Sequence, residues 1–274
     1  MRTAIKYYYN LDVDKIEYEN NIYYFHNYIL KPIYTNINYD IYNFFIMNNI
    51  PIYKIIMNKD NNYITYINNC NYILLLKDFD SDITIDIINN YSINIDNKNI
   101  KKWNELWSHK IDYYENNIIR VNNKYVLEIF PYYLCLSETA LRLFNESKND
   151  YTISICHKRI DNLSSFFSPD NYIIDYKSRD YSEYIKYLFF VKENDIEYIM
   201  NIIYRFDLKD GDLYLFFVRL LFPTYFFDCV ENNNDIKIYS SKINLFEKLL
   251  KNIYEYISYK ISMPVIDWLI KKNS

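Results

Sequence analysis

The sequence predicts an α+β protein of two lobes, a small β-rich one over residues 1–97 and a larger helical one over residues 98–274. Three observations carry this. Up to about residue 80, apolar and polar side chains alternate over short stretches rich in Ile and Tyr, which is the period of half-buried strands. From about residue 98 the apolar residues recur at helical spacing instead. The two regimes meet in "KDFDSDITIDIINNYSINIDNKN", a polar-rich run that reads as the connection, near residues 77 to 100, with its central isoleucines packing locally.

In the first lobe the strand candidates are "AIKYYYNL", "NIYYFHN", "YILKPI", "IPIYKIIMN", "YITYIN" and "YILLLK". Between the third and fourth, "YDIYNFFIMNN" spaces Ile41, Phe44, Phe45 and Met47 as a helix does, with Asp40 as its expected cap. The chain has one glycine, Gly211, so its turns use "KDNN" and "NNCN"; after glycine, Asn best tolerates a left-handed backbone. In the second lobe "KKWNELWSHKIDYYENNI" puts Trp103, Leu106, Trp107 and Ile111 on one helical face, and "YYLCLSETALRLFNES" repeats the pattern with Leu134, Leu141 and Phe144. "YTISICHKRIDNLSSFF" reads as a buried strand opening at His157 into a polar loop, and "NYIIDYKS" as a short strand ending at Asp175. Helical stretches follow to "INLFEKLLKNIYEYISYKI", which continues into "MPVIDWLIKK", where Pro264 is expected to kink or restart the helix.

Composition narrows the function classes. The 34 Tyr, with abundant Asn, Ile, Lys and Asp, fit codons of an AT-rich genome rather than a function. A net charge of -4 with no cluster of Lys and Arg argues against nucleic-acid binding. Hydrophobic residues make up 50% of the chain and recur periodically, which a disordered chain lacks. Cys70, Cys135, Cys156 and Cys229 form no CxxC pair and suggest neither a zinc site nor a disulfide framework, so a reducing compartment is expected. "MRTAIKYYYN" lacks the apolar core of a signal peptide, and "LYLFFVRLLFPTYFF" is broken by Arg219 and Pro223 short of the ~20 apolar residues of a membrane span. The expectation is a cytoplasmic protein with no membrane span.

Six segments in order, "YILKPI", "NELWSHKIDYYE", "PYYLCLSETAL", "ICHKRI", "IIDYKSRDYSEYIKYLFF" and "RLLFPTYFFDCV", resemble the CotS/YutH-type spore-coat proteins. These are a bacterial branch of the protein-kinase-like fold of aminoglycoside and choline phosphotransferases. The resemblance implies the kinase-like two-lobe fold. It also gives specific positions their expected roles: Lys31 as the lysine that meets nucleotide phosphates, His157 as the largely architectural histidine of the catalytic loop, and Asp175 as the magnesium-binding aspartate.

Against those expectations the residues depart. The catalytic triplet is His157, Lys158, Arg159, so the base position falls on Arg159, whose guanidinium cannot accept a proton. The position of the metal-binding Asn falls on Ser164; Asp161 and Asn162 lie close by and substitute only if the loop is remodelled. No Glu stands in the following helix to orient Lys31, and no glycine precedes residue 211 to let backbone approach phosphates. Without a metal, Asp175 needs another cation, and Arg159 is the expected one. Arg179, Asp180 and Glu183 are expected in a buried polar network at a helix start. Two readings follow. One is a catalytically inactive kinase-fold protein, a pseudokinase that acts as a structural or interaction component with other spore-coat or cytoplasmic proteins and needs no cofactor. The other is an ATP- and magnesium-dependent small-molecule phosphotransferase using Lys31, Asp161 or Asn162, and Asp175. Nucleotide binding without transfer lies between them.

Overall fold

The computed structural model describes residues 1–19, 21–96, 100–118, 121, 123–147, 150–232 and 236–270. The chain forms two compact units, Met1–Tyr91 with His157–Ile173, and Ser92–Cys156 with Ile174–Ser274. The sequence boundary at residues 97 and 98 lies outside the described residues.

The first unit opens with helix α1 (Arg2–Tyr9), where alternation had suggested a strand over residues 4–11. Its hydrophobic spacing explains the difference. Ile5 is fully buried, and Met1, Ala4, Tyr8 and Tyr9 pack beside it on the cluster of Phe25, Leu30, Ile67 and Leu74, a set at helical intervals. Strands β1 (Glu17–Glu19), β2 (Ile22–Phe25) and β3 (Tyr28–Pro32) follow, then helix α2 (Tyr39–Met47) and strands β4 (Lys54–Ile56), β5 (Thr65–Ile67) and β6 (Cys70–Leu76). They form one antiparallel sheet in the order β1-β2-β3-β6-β4, with β5 also on β6. Strand β1 is an addition that the sequence pattern does not mark.

Asparagine does the work of glycine in the turns. The β5–β6 hairpin turns through Asn68 and Asn69 with φ of 47° and 65°, the two left-handed residues of a tight hairpin turn. Asn10, Asn21, Asn49 and Asn61 are left-handed as well, whereas Gly211 is not among the positive-φ residues. Helix α2 is capped by Asn38, which accepts from the amides of Asp40 and Ile41 at 3.1 and 3.2 Å; Asp40 occupies the first turn rather than the cap. The helix buries Ile41, Tyr42 and Phe45, while Met47 is 80% exposed. Helix α3 (Ile85–Tyr91) lies in the run read as a connection, where Ile85, Ile88 and Tyr91 are buried.

In the second unit, α4 (Trp103–Asn117) and α5 (Lys124–Glu146) lead to strand β7 (Ile153–His157). Pro131 sits inside α5 and removes one backbone donor, which the 23-residue helix tolerates. The short helix α6 (Leu163–Phe166), which belongs to the first unit, precedes strand β8 (Tyr172–Tyr176), and β7 and β8 pair as a two-stranded sheet. Then come α7 (Ser178–Lys186), continued by a π-helical turn over Tyr187–Val191, and α8 (Ile196–Ile203), α9 (Asp210–Leu221), α10 (Thr224–Glu231) and α11 (Lys237–Lys260). Beyond Lys260 the described residues through 270 are not helical, so the expected continuation past Pro264 does not form; Lys271 and Lys272 lie outside the described residues. Asp210–Glu231 is long and apolar enough to cross a membrane by length and composition, yet most of it is buried. Lys186 explains part of its geometry: the ammonium donates to the carbonyls of Arg219 and Phe222 at 2.8 and 2.9 Å and to Thr224 Oγ1 at 3.0 Å. A buried cation thereby serves carbonyls at the C-terminal end of α9 where Pro223 breaks the run, and the Phe222 carbonyl also accepts from the Thr224 amide at 2.9 Å.

Candidate functional site

The site residues expected from sequence divide between the units. Lys31, His157, Arg159, Asp161 and Asn162 belong to the first, and Asp175 to the second.

Within the first unit, Lys31 stands on β3 opposite Ile73 of β6. Its ammonium donates to Asp170 Oδ1 at 2.9 Å and to Ser168 Oγ at 3.2 Å. Neither partner is prominent in the sequence, because an Asp just after Pro169 and just before a strand reads as a turn former. The 3₁₀ turn Pro169–Asn171 sets both groups in place. Ser168 Oγ donates to Asp170 Oδ1, and Lys158 Nζ donates to the Asp170 carbonyl at 2.6 Å and to Thr35 Oγ1 at 3.1 Å.

Asn171 fixes the loop that precedes it. Its Oδ1 accepts from the Arg159 amide at 3.2 Å, and its Nδ2 donates to the carbonyls of Arg159 and Ser165 at 2.8 and 2.9 Å. Asn162, a catalytic-loop residue expected to substitute only in a remodelled loop, is the cap of α6: its side chain accepts from the Ser165 amide at 2.9 Å in a reciprocal capping box. Asp161 is exposed in the same loop. His157 is fully buried, its ring stacked on Phe166 at 4.0 Å between centroids with Tyr172 and Tyr91 at 4.8 and 5.2 Å. An imidazole in that aromatic setting organises the loop by packing.

Asp175 lies in the second unit at 1% exposure, and both its oxygens are engaged. Oδ2 accepts from Arg179 Nη1 at 2.9 Å. Oδ1 accepts from Arg219 Nη2 at 2.8 Å, Trp103 Nε1 at 2.8 Å and the Tyr176 amide at 2.7 Å. The carboxylate expected to meet Arg159 is thus held by two other arginines. Arg179 reaches it from the first turn of α7, and Arg219 from α9. Both guanidiniums also lie over the Trp103 ring, at 4.9 and 4.8 Å. Burial lowers the Arg219 guanidinium from its ordinary value and Asp175 opposes that shift, so the group stays charged. Cys156 donates weakly to the carbonyl of Tyr176 at 3.4 Å, and burial pushes its thiol well up, which makes it an unreactive core residue. Asp180 and Glu183 are both almost fully buried in the same helix, and Glu183 Oε1 lies 4.0 Å from Lys186 Nζ. Sequence reasoning missed Arg219 and Trp103 as partners of Asp175. A lone arginine within "LYLFFVRLLF" is the signal that marks such a charge.

The comparisons with known proteins agree with this fold. The structure is similar to an aminoglycoside phosphotransferase from Alicyclobacillus acidocaldarius subsp. acidocaldarius DSM 446, with a TM-score of 0.61 and 8% identity over 94% of this chain and 97% of that one. It is similar as well to spectinomycin phosphotransferase APH(9)-Ia in complex with ADP and spectinomycin, with a TM-score of 0.53 and 13% identity over 94% and 96% of the two chains. Amicoumacin kinase in complex with AMP-PNP and calcium gives a TM-score of 0.53 at 10% identity over 97% and 94%. At such identities the likeness shows the fold alone, which is protein-kinase-like. In sequence, the chain is 25% identical over 214 residues to the endospore coat-associated protein YutH of Bacillus subtilis (strain 168), covering 64% of this chain and 63% of that protein, slightly less than two thirds of its length. The profile of the family described as "Spore coat putative kinase YutH" matches residues 88–262, well over half of the sequence, and the chain therefore belongs to that family.

Proposed function

We propose that this protein is a catalytically silent, coat-associated member of the kinase-like fold, acting as a structural or interaction component of the spore coat assembled from the cytoplasmic side. The coat context comes from the family and from its Bacillus subtilis relative. Silence is supported chiefly by Asp175. Its four hydrogen bonds, two of them from guanidiniums, use both oxygens at a site almost closed to water. A magnesium ion there would have to displace a buried arginine, leaving that charge without its partner. As arranged, the donor set does not fit a magnesium–nucleotide complex. Arg159 cannot serve as a base, Asn162 is committed to its helix cap, and no glycine precedes residue 211.

The experiment is a phosphotransfer assay with ATP and magnesium over aminoglycosides and sugars. The expected result is no transfer above the background of the buffer. An active kinase of this fold turns over at roughly 1–100 per second. Turnover in that range, abolished by Asp175→Asn, would replace this reading with the phosphotransferase.

A further inference from the structure

The Lys31 ammonium, the best candidate for a phosphate contact in the first unit, already has an anion. Asp170 Oδ1 lies 2.9 Å away, with side-chain exposures of 15% for Lys31 and 14% for Asp170. Three contacts place that carboxylate before any ligand arrives. The fully buried Ser168 hydroxyl donates to it, Lys158 Nζ holds the Asp170 carbonyl at 2.6 Å, and the Asn171 side chain ties the 3₁₀ turn to the backbone of Arg159 and Ser165. Lys31 is fixed from the other side by its place on β3, paired to β6. The carboxylate is therefore placed in advance, and the flexible Lys31 stem needs only to reach it from a fixed strand position.

We propose that Asp170 is a built-in anion that occupies the cation site of Lys31 and Ser168 and keeps phosphate-bearing ligands out. The inference rests on the reading of a silent kinase fold and deepens it. Where the fold lacks a helix glutamate to orient the lysine, the loop before β8 supplies a carboxylate that neutralises it. A polyphosphate approaching Lys31 meets the negative charge of Asp170 beside the ammonium, at a distance where like charges repel strongly in a partly dehydrated site. Replacing that carboxylate by its neutral isostere removes the negative charge while keeping the shape, so the ammonium keeps an uncompensated positive charge and can donate to a phosphate oxygen as well.

Calorimetric titration with inorganic tripolyphosphate tests this in wild type, Asp170→Asn, and Asp170→Asn combined with Lys31→Met. The expected result is an affinity at least ~10-fold higher in Asp170→Asn than in wild type, lost again in the double variant, as one freed charge-assisted contact implies. Equal affinity of wild type and Asp170→Asn would overturn the proposal. If Asp170→Asn proves unfolded by circular dichroism, competitive acetylation of wild type decides. Labelling of Lys31 unchanged by millimolar tripolyphosphate supports the internal anion, and protection of Lys31 refutes it. Neither outcome depends on the phosphotransfer assay, which tests the silent reading separately.

Discussion

At the scale of single residues, the arrangement around Asp175 decides most of the chemistry. A carboxylate at 1% exposure is costly to ionise unless it is paired and hydrogen-bonded, and two arginines, an indole and an amide meet that requirement together. Part of this is legible in sequence. Arg179 follows Asp175 by four residues, and Arg219 interrupts an apolar run where a solvated charge has no place. That the two meet is not legible, because the contact between β8 and α9 spans 44 residues and depends on packing. Asp170 was hidden for a different reason: its side chain looks like that of a turn, and only the register of β3 shows that Lys31 reaches it. The buried pair predicts a specific pattern in urea unfolding. Arg219→Met alone should cost about 3 kcal/mol, since it strands part of the Asp175 charge. Combined with Asp175→Asn, it should cost less than the sum of the singles, with a coupling of about 1–3 kcal/mol. Strict additivity would show that the two side chains do not support one another.

At the scale of elements, period and turn chemistry gave a good reading and boundaries a poorer one. Five of the six strand segments named from alternation contain a strand, and "YDIYNFFIMNN" is a helix. The exception, α1, shows the limit of short windows: "AIKYYYNL" satisfies alternation and helical spacing equally until the partners of Ile5 are known. Its capping shift from Asp40 to Asn38 in α2 is likewise a matter of two residues, the usual error in locating a helix end. Because α1 covers the Phe25, Leu30, Ile67 and Leu74 face of the sheet, Ile5→Asp is predicted to destabilise by about 3 kcal/mol through an unpaired buried carboxylate. A shift in the urea midpoint with unchanged slope is the expected observation. Wild-type stability would mean that α1 is not part of the core.

At the scale of the whole molecule, a composition shaped by 34 Tyr and one Gly still specifies a kinase-like fold, because pattern rather than identity carries the architecture. Tyrosine fills core positions such as Tyr53, Tyr91, Tyr133, Tyr181 and Tyr184, where burial suits its ring, and asparagine supplies left-handed turns. The fold alone does not decide catalysis, since function lies in the site and not in the scaffold, and the silence proposed above is a claim about the site. The measurement closest to that claim is a manganese titration with ATP followed by electron paramagnetic resonance, in wild type and Asp175→Asn. With both oxygens of Asp175 held by arginine, the spectrum of the manganese–ATP complex should be the same with either protein present, beyond nonspecific broadening. Stoichiometric binding of manganese–ATP by wild type that disappears in Asp175→Asn would contradict the account and return Asp175 to the role of metal ligand.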